Sequence, residues 1–260
     1  MSLPALFISH GSPMLAIEDS PAHQFLVGLG KSMPQPKAIV VASAHWESVN
    51  GVAVSLAAHP ETIHDFGGFP EALFEIQYPA QGAPAIASRA ADLLEGAGFA
   101  VKRSHDRGLD HGAWVPLRLM YPKADVPVTQ VSIRRGASTA EHERIGMALG
   151  KLREEGVLII GSGALTHNLY ALRGAALNQD VPAWVRDFGE WMHARLVENQ
   201  REALRHYRTQ APFAVRNHPT EDHVLPLFVA MGAAGDFTKA ERLHTSHQYG
   251  VLAMDMYAFT

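Results

Sequence analysis

Fifteen histidines and no cysteine set the chemistry open to this 260-residue chain. Without thiols there is no disulfide, no thiolate nucleophile, no sulfur-ligated zinc and no iron–sulfur centre. Imidazole and carboxylate remain, and these ligands suit first-row divalent metals. Three histidines share one address: His10 follows the apolar run Leu3–Ile8, His45 follows Lys37–Ala44, and His167 comes after Val157–Ile160 and Gly161-Ser162-Gly163. Each run reads as a buried strand, and the carboxyl ends of strands in open α/β sheets form the crevice where ligands bind. Any one of these residues alone would read as structural; the repeated address carries the argument. His223 follows Thr220-Glu221-Asp222, which reads as the first turn of a helix, where the dipole favours the neutral ring that binds metal. His111 lies in Leu109-Asp110-His111-Gly112-Ala113-Trp114, beside an acid that could orient it, with a plain loop histidine as the alternative. The segment His64-Asp65-Phe66-Gly67-Gly68-Phe69-Pro70 has the composition of a loop over an aromatic ligand, or of an ordinary turn pinned by apolar side chains.

The elements that must position these residues can be read from periodicity. Apolar runs at Leu3–Ile8, Lys37–Ala44, Gly51–Leu56, Val128–Ile133 and Val157–Ile160 predict strands, most of them buried on both faces. Helical patterns span Ala83–Gly96, Ser138–Glu155 with a Ser138 or Thr139 cap, Val181–Leu204, and a run through Met231 capped by Thr220. Residues 247–259 have an extended pattern. The expected fold is α/β, a single domain over 1–260 with a largely parallel or mixed central sheet flanked by helices on both faces.

A net charge of −4 offers no basic field for nucleic acid or anionic lipid. No apolar run approaches the ~20 residues of a membrane span, and the first ten residues lack a signal-peptide pattern, so a cytoplasmic protein is expected. No sequence feature specifies an oligomeric state. Three decoys fail on spacing. Gly30-Lys31-Ser32 lacks the first glycine of a phosphate-binding loop and reads as a helix stop. His142-Glu143 has Gly146 where a zincin needs its second histidine, and is expected on a solvated helix face. Ser162 lacks the flanking pattern of a nucleophile elbow.

Six segments in order complete the picture: Ser9-His10-Gly11-Ser12-Pro13-Met14, Ala42-Ser43-Ala44-His45-Trp46, Ile63 to Pro70, Leu109 to Trp114, Thr166-His167-Asn168-Leu169, and Pro219-Thr220-Glu221-Asp222-His223-Val224-Leu225-Pro226-Leu227. In these the sequence resembles the LigB-type (class III) extradiol ring-cleavage dioxygenases, within them the 4,5-DOPA dioxygenase branch of bacteria and plants. The resemblance implies an α/β fold and a mononuclear non-haem Fe(II) site that Zn(II) can occupy. It implies His10 and His45 as metal ligands, with His223 where the wider superfamily has a carboxylate. His167 matches a histidine with an acid/base role that is counted as a ligand in some sites, and His111 one that faces substrate and oxygen. The implied reaction opens a catechol beside its two hydroxyls with O₂, His167 taking the second catechol proton as a group titrating near neutrality.

His64, Asp65, Phe66 and Phe69 are expected to line the substrate site, the phenyl rings against the catechol and His64 near a hydroxyl or a side-chain carboxylate. With no compact basic cluster for a carboxylate, broad acceptance of small catechols is expected. Two rivals share the scaffold: a zinc-dependent hydrolase using metal-bound water, and a Memo-like binding protein without catalysis. His111 and His167 argue against the second, because both keep acid/base groups beside the metal.

Overall fold

In the computed structural model, which describes residues 2–236 and 240–260, the apolar runs are strands. With those that pairing adds, the strands of the described residues are β1 (Ala5–Ser9), β2 (Ala38–Ser48), β3 (Val52–Ser55), β4 (Val101–Ser104), β5 (Val128–Arg134), β6 (Val157–Gly163), β7 (Ala240–His244), β8 (His247–Gln248), β9 (Leu252–Ala253) and β10 (Met256–Phe259). Side chains alternate between two apolar layers. Leu6, Ile8, Ile39, Val41, Leu158 and Ile160 enter one core, while Ala5, Val40, Ala42, Val157 and Ile159 enter another. Strands apolar on both faces must be covered on both.

Helices Pro21–Ser32 and His111–Met120 cover the first face through Leu26, Trp114 and Leu117. Helices Pro84–Gly96, Thr139–Leu149 and Leu225–Ala233 cover the second, and Ala183–Val197 packs on Phe7, Tyr257 and Phe259 beside it. The main sheet runs β4-β3-β5-β2-β6-β1-β10-β7. Its centre, β5-β2-β6-β1, is wholly parallel, so four carboxyl ends open on one edge. The outer pairings β3–β5, β1–β10 and β10–β7 are antiparallel, which makes the sheet mixed, as expected. Among the described residues, no helix is long and apolar enough to cross a membrane.

Several boundaries differ from expectation for local reasons. The helix expected over Val181–Leu204 stops at Val197 and resumes at Arg201–Arg205, because Asn199 adopts a left-handed conformation with φ 51°. The Ser138-capped helix tightens into a 3₁₀ stretch, Gly150–Glu155, that ends at left-handed Gly156. The Thr220 run becomes helical only at Leu225, so His223 sits in the turn before the helix rather than in its first turn. His142 and Glu143 are buried, not solvated. The His142 ring donates from Nδ1 to the Ser138 carbonyl and accepts the Arg134 N–H, while Glu143 pairs with Arg201 and Arg205 at 2.6 and 2.7 Å. For Glu143, partners about sixty residues away thus decide what a helical pattern alone assigns to the surface.

Candidate metal centre

His10 leaves the end of β1 with its N–H on the Gly163 carbonyl of β6 at 2.9 Å. Gly11 then turns the chain with φ +62°, where an added Cβ would meet Met254 at 2.6 Å. The ring is 1% exposed, and its Nδ1 lies 3.0 Å from Ser162 Oγ. Pro116 explains the direction of that bond. Lacking an N–H, it leaves the Gly112 carbonyl free inside the helix, and the Ser162 hydroxyl donates there. Ser162 Oγ therefore accepts from His10 Nδ1–H, and the lone pair of His10 is on Nε2.

His45 lies within β2 rather than after it. The register with β5 jumps from Ser43↔Ser132 to Glu47↔Ile133, so Ala44, His45 and Trp46 bulge out of the ladder. Bulges of this kind re-aim a side chain. Both backbone groups of His45 are held: its N–H donates to Ser43 Oγ at 3.2 Å, and Arg107 donates to its carbonyl at 3.3 Å. The hydroxyl of Ser43 and the guanidinium of Arg107 both end on fully buried Asp110, at 2.6 and 2.7 Å, and Gln130 donates to the same carboxylate. Asp110 also caps the helix that begins at His111.

His223 is placed by close backbone approach. A Cβ on Gly163 would lie 2.0 Å from the His223 carbonyl, and one on Gly161 2.0 Å from that of Pro226. The Gly-Ser-Gly sequence therefore admits the His223 turn against the end of β6, and Ala164 N–H seals it with a 2.9 Å bond to the His223 carbonyl. The imidazole donates from Nδ1 to the Asp222 carboxylate, again leaving Nε2 with the lone pair.

These Nε2 atoms converge. His45 Nε2 lies 3.0 Å from that of His10 and 3.2 Å from that of His223. With the protons of His10 and His223 held on Nδ1, both of their lone pairs face His45 Nε2; a proton there satisfies only one of them, whereas a cation between the three rings satisfies all. Ligand bonds of about 2.0–2.1 Å give ligand–ligand edges of about 2.8–3.4 Å at right to tetrahedral angles, so the donor set fits a first-row ion. Burial, reinforced by neighbouring imidazoles, drives His10 and His223 well below the usual histidine range and His45 down to about 4. All three are neutral at pH 7, as ligation requires.

His111 and His167 flank this group. The His45 and His111 ring centroids are 3.9 Å apart, and His167 stacks on His223 at 3.4 Å, nearly parallel, rather than joining the Nε2 set. Asp65 Oδ1 accepts from His111 twice, from Nδ1 at 2.9 Å and from the backbone N–H at 3.0 Å. Burial alone would push the Asp65 carboxyl up, but these bonds hold it at about 2. Burial takes His167 down to about 4, below the near-neutral titration expected from sequence. A cavity of about 440 Å³ opens over the site, with Phe66, Phe69, Leu169, Leu172 and Leu252 as apolar wall.

Of the residues singled out from sequence, His45, Asp65, Phe66, Phe69, His111, His167 and His223 line the cavity, with His10 beneath. His64 does not: it donates from Nε2 to the Ile76 carbonyl at 3.0 Å and packs against Trp114, behind the Phe66 wall. Asp65 serves His111 before any ligand. Asp110, expected from sequence to orient the His111 ring, instead holds Ser43, Arg107 and Gln130 and caps the helix, and Asp65 orients His111. Sequence reasoning missed the roles of Asp222, which adjacency to His223 marks, and of Ser162.

Fold and site together define an α/β protein with an imidazole-built candidate metal centre at the carboxyl edge of a parallel sheet. A family model described as the catalytic LigB subunit of aromatic ring-opening dioxygenase matches residues 4–260. The chain belongs to the LigB family and is a ring-cleaving dioxygenase. It is 45% identical to a 4,5-DOPA dioxygenase extradiol of Beta vulgaris, covering 98% of this chain and 95% of that protein. A protein of the same name from Escherichia coli K12 is 40% identical, over 89% and 85%. The crystal structure of an uncharacterised Escherichia coli K12 protein superposes with a TM-score of 0.82 at 32% identity, covering 99% of this chain and all of that one.

Proposed function

We propose that this protein is an iron(II)-dependent extradiol dioxygenase that opens catechols with O₂ as co-substrate. The observation that carries the reading is the convergence of His10, His45 and His223 Nε2 atoms under a cavity with an aromatic wall. These three residues would hold the ion, which when bound supplies Lewis acidity to the catechol hydroxyls and a path for electrons between ring and O₂. Phe66 and Phe69, at 5.5 Å edge to face, wall the site and orient the substrate ring.

The proton chemistry falls to two imidazoles. Asp65 keeps the His111 proton on Nδ1, so Nε2 is the acceptor offered to a substrate hydroxyl. Because burial keeps His167 neutral, it enters as a base and becomes an acid only after taking a proton from the substrate. The stacked contact with His223 holds its ring at the cavity wall without using its nitrogens.

The test is anaerobic reconstitution with Fe(II) or Zn(II) alone, followed by catechol and air. Catechol loss only in the iron-loaded protein is expected. Hydrolysis by the zinc-loaded protein, with no catechol loss under iron, would replace this reading with the hydrolase.

A further inference from the structure

We propose that Arg107 is a positioning residue for the metal centre: its guanidinium fixes the bulged backbone at His45, and with it the direction of His45 Nε2. The inference rests on the reading of His10, His45 and His223 as metal ligands, and deepens it. Where β2 and β5 lose register, Ala44, His45 and Trp46 stand outside the ladder, and the His45 carbonyl takes its donor from elsewhere. Arg107 supplies it from Nη2 at 3.3 Å, and the same nitrogen donates to Asp110 Oδ2 at 2.7 Å. The guanidinium also lies over the Trp46 indole, 5.2 Å from its centroid. Arg107 thus grips the bulge twice, at the ligand's own carbonyl and at the next side chain.

The base from which Arg107 reaches is itself pinned. Ser55 Oγ, at the end of β3, donates to the Arg107 carbonyl at 2.8 Å. Leu109 N–H donates to the Glu61 carbonyl at 2.7 Å, and Ile63 N–H to the Leu109 carbonyl at 2.8 Å. Gly108 admits this approach, since a Cβ there would lie 2.3 Å from the Glu61 carbonyl oxygen. Among the described residues Arg107 Nε, though buried, has no hydrogen-bond partner. Two acceptors at Nη2 and one indole face therefore place the group, a task for a planar cation rather than for charge alone. Trp46, Arg107 and Gly108 also line a second cavity, of about 310 Å³, with Lys102 and Asp106 among its other walls. That cavity gives small solutes a route to the guanidinium.

The experiment reads the metal centre without substrate, by the Zn(II) Kd from chelator competition and by the visible spectrum of Co(II)-loaded protein. Arg107→Ala should weaken zinc binding about tenfold or more and change the Co(II) bands, as loss of an orienting partner does. Methylguanidinium at millimolar concentration should enter the vacated space against Trp46 and recover at least threefold of the loss, with the bands returning towards wild type. Methylammonium should recover none. Arg107→Lys, which keeps charge but not the planar fork, should remain at least fivefold weaker than wild type. Lys102→Met removes a cation from the same cavity and should leave the Kd unchanged. A Kd within twofold of wild type in the Arg107 variants overturns the proposal. So does an equal loss in Lys102→Met or an equal rescue by methylammonium, since either would make the effect one of charge. If Arg107→Ala does not fold, Arg107→Lys decides by the same two readouts. The expected Kd order without ring cleavage by iron-loaded wild type upholds the positioning role and overturns only the dioxygenase reading. Wild-type protein that binds neither zinc nor cobalt overturns both.

Discussion

Replacing Ser162 by Ala removes one oxygen and leaves two buried groups without partners. The Nδ1–H of His10 loses its acceptor and the Gly112 carbonyl, already abandoned by Pro116, loses its donor. Each unsatisfied buried group costs about 1–3 kcal/mol, so the two together cost about 2–6 kcal/mol. In a chain of this size each kcal/mol moves Tm by about 2–4 °C, which places the loss at about 4–24 °C. The same change frees the His10 ring to rotate or to move its proton to Nε2, and loss of such an orienting partner weakens metal binding about 10–100-fold. Thermal unfolding of metal-free protein and chelator competition for Zn(II) read the two effects separately. A Tm within one degree of wild type together with an unchanged metal Kd would refute the hydrogen-bond assignment, and with it the argument that places the His10 lone pair at the centre.

Three further outcomes are expected. His111→Ala should retain metal and fold while turnover falls about 10²–10⁴-fold, and wild-type turnover would remove His111 from the proton chemistry. Gly163→Ala drives a Cβ into the His223 carbonyl and should cost at least about 1–3 kcal/mol with a matching loss of bound metal; a neutral Tm would show that the turn can yield. Burial pulls His142 and His218 down to about 4, whereas an unfolded histidine titrates near 6.5. The unfolded chain therefore binds more protons between those values, and stability is lost as pH falls from about 6.5 towards 4. Urea melts of metal-free protein should show a lower midpoint at pH 5 than at pH 7, and equal midpoints would contradict the burial argument.

The strands were legible because both faces of β1, β2 and β6 are apolar, giving continuous Val/Ile/Leu runs. That legibility carried His10 to the sheet edge and brought His45 and His167 near it. What escaped was set by partners distant in sequence. The short β4, Val-Lys-Arg-Ser, has no alternation to announce it and exists through its pairing with β3. The helix at His111 is hidden by its own Pro116, and Pro21–Ser32 by Gly28 and Gly30, where Gly30 lets the Met120 backbone approach. His64 looked equivalent to its neighbours in the 64–70 segment, but the Ile76 carbonyl turns it away from the cavity. The bulge that aims His45 leaves no trace in composition, since it is a property of the register with β5.

The most direct test of ring cleavage uses ¹⁸O₂ with the anaerobically iron-loaded protein and an excess of a neutral catechol. Mass spectrometry of the product should show one O₂ consumed per ring opened, both labelled atoms incorporated before exchange, and cleavage beside the two hydroxyls rather than between them. A product without label, or a ring opened between the hydroxyls, would contradict the account.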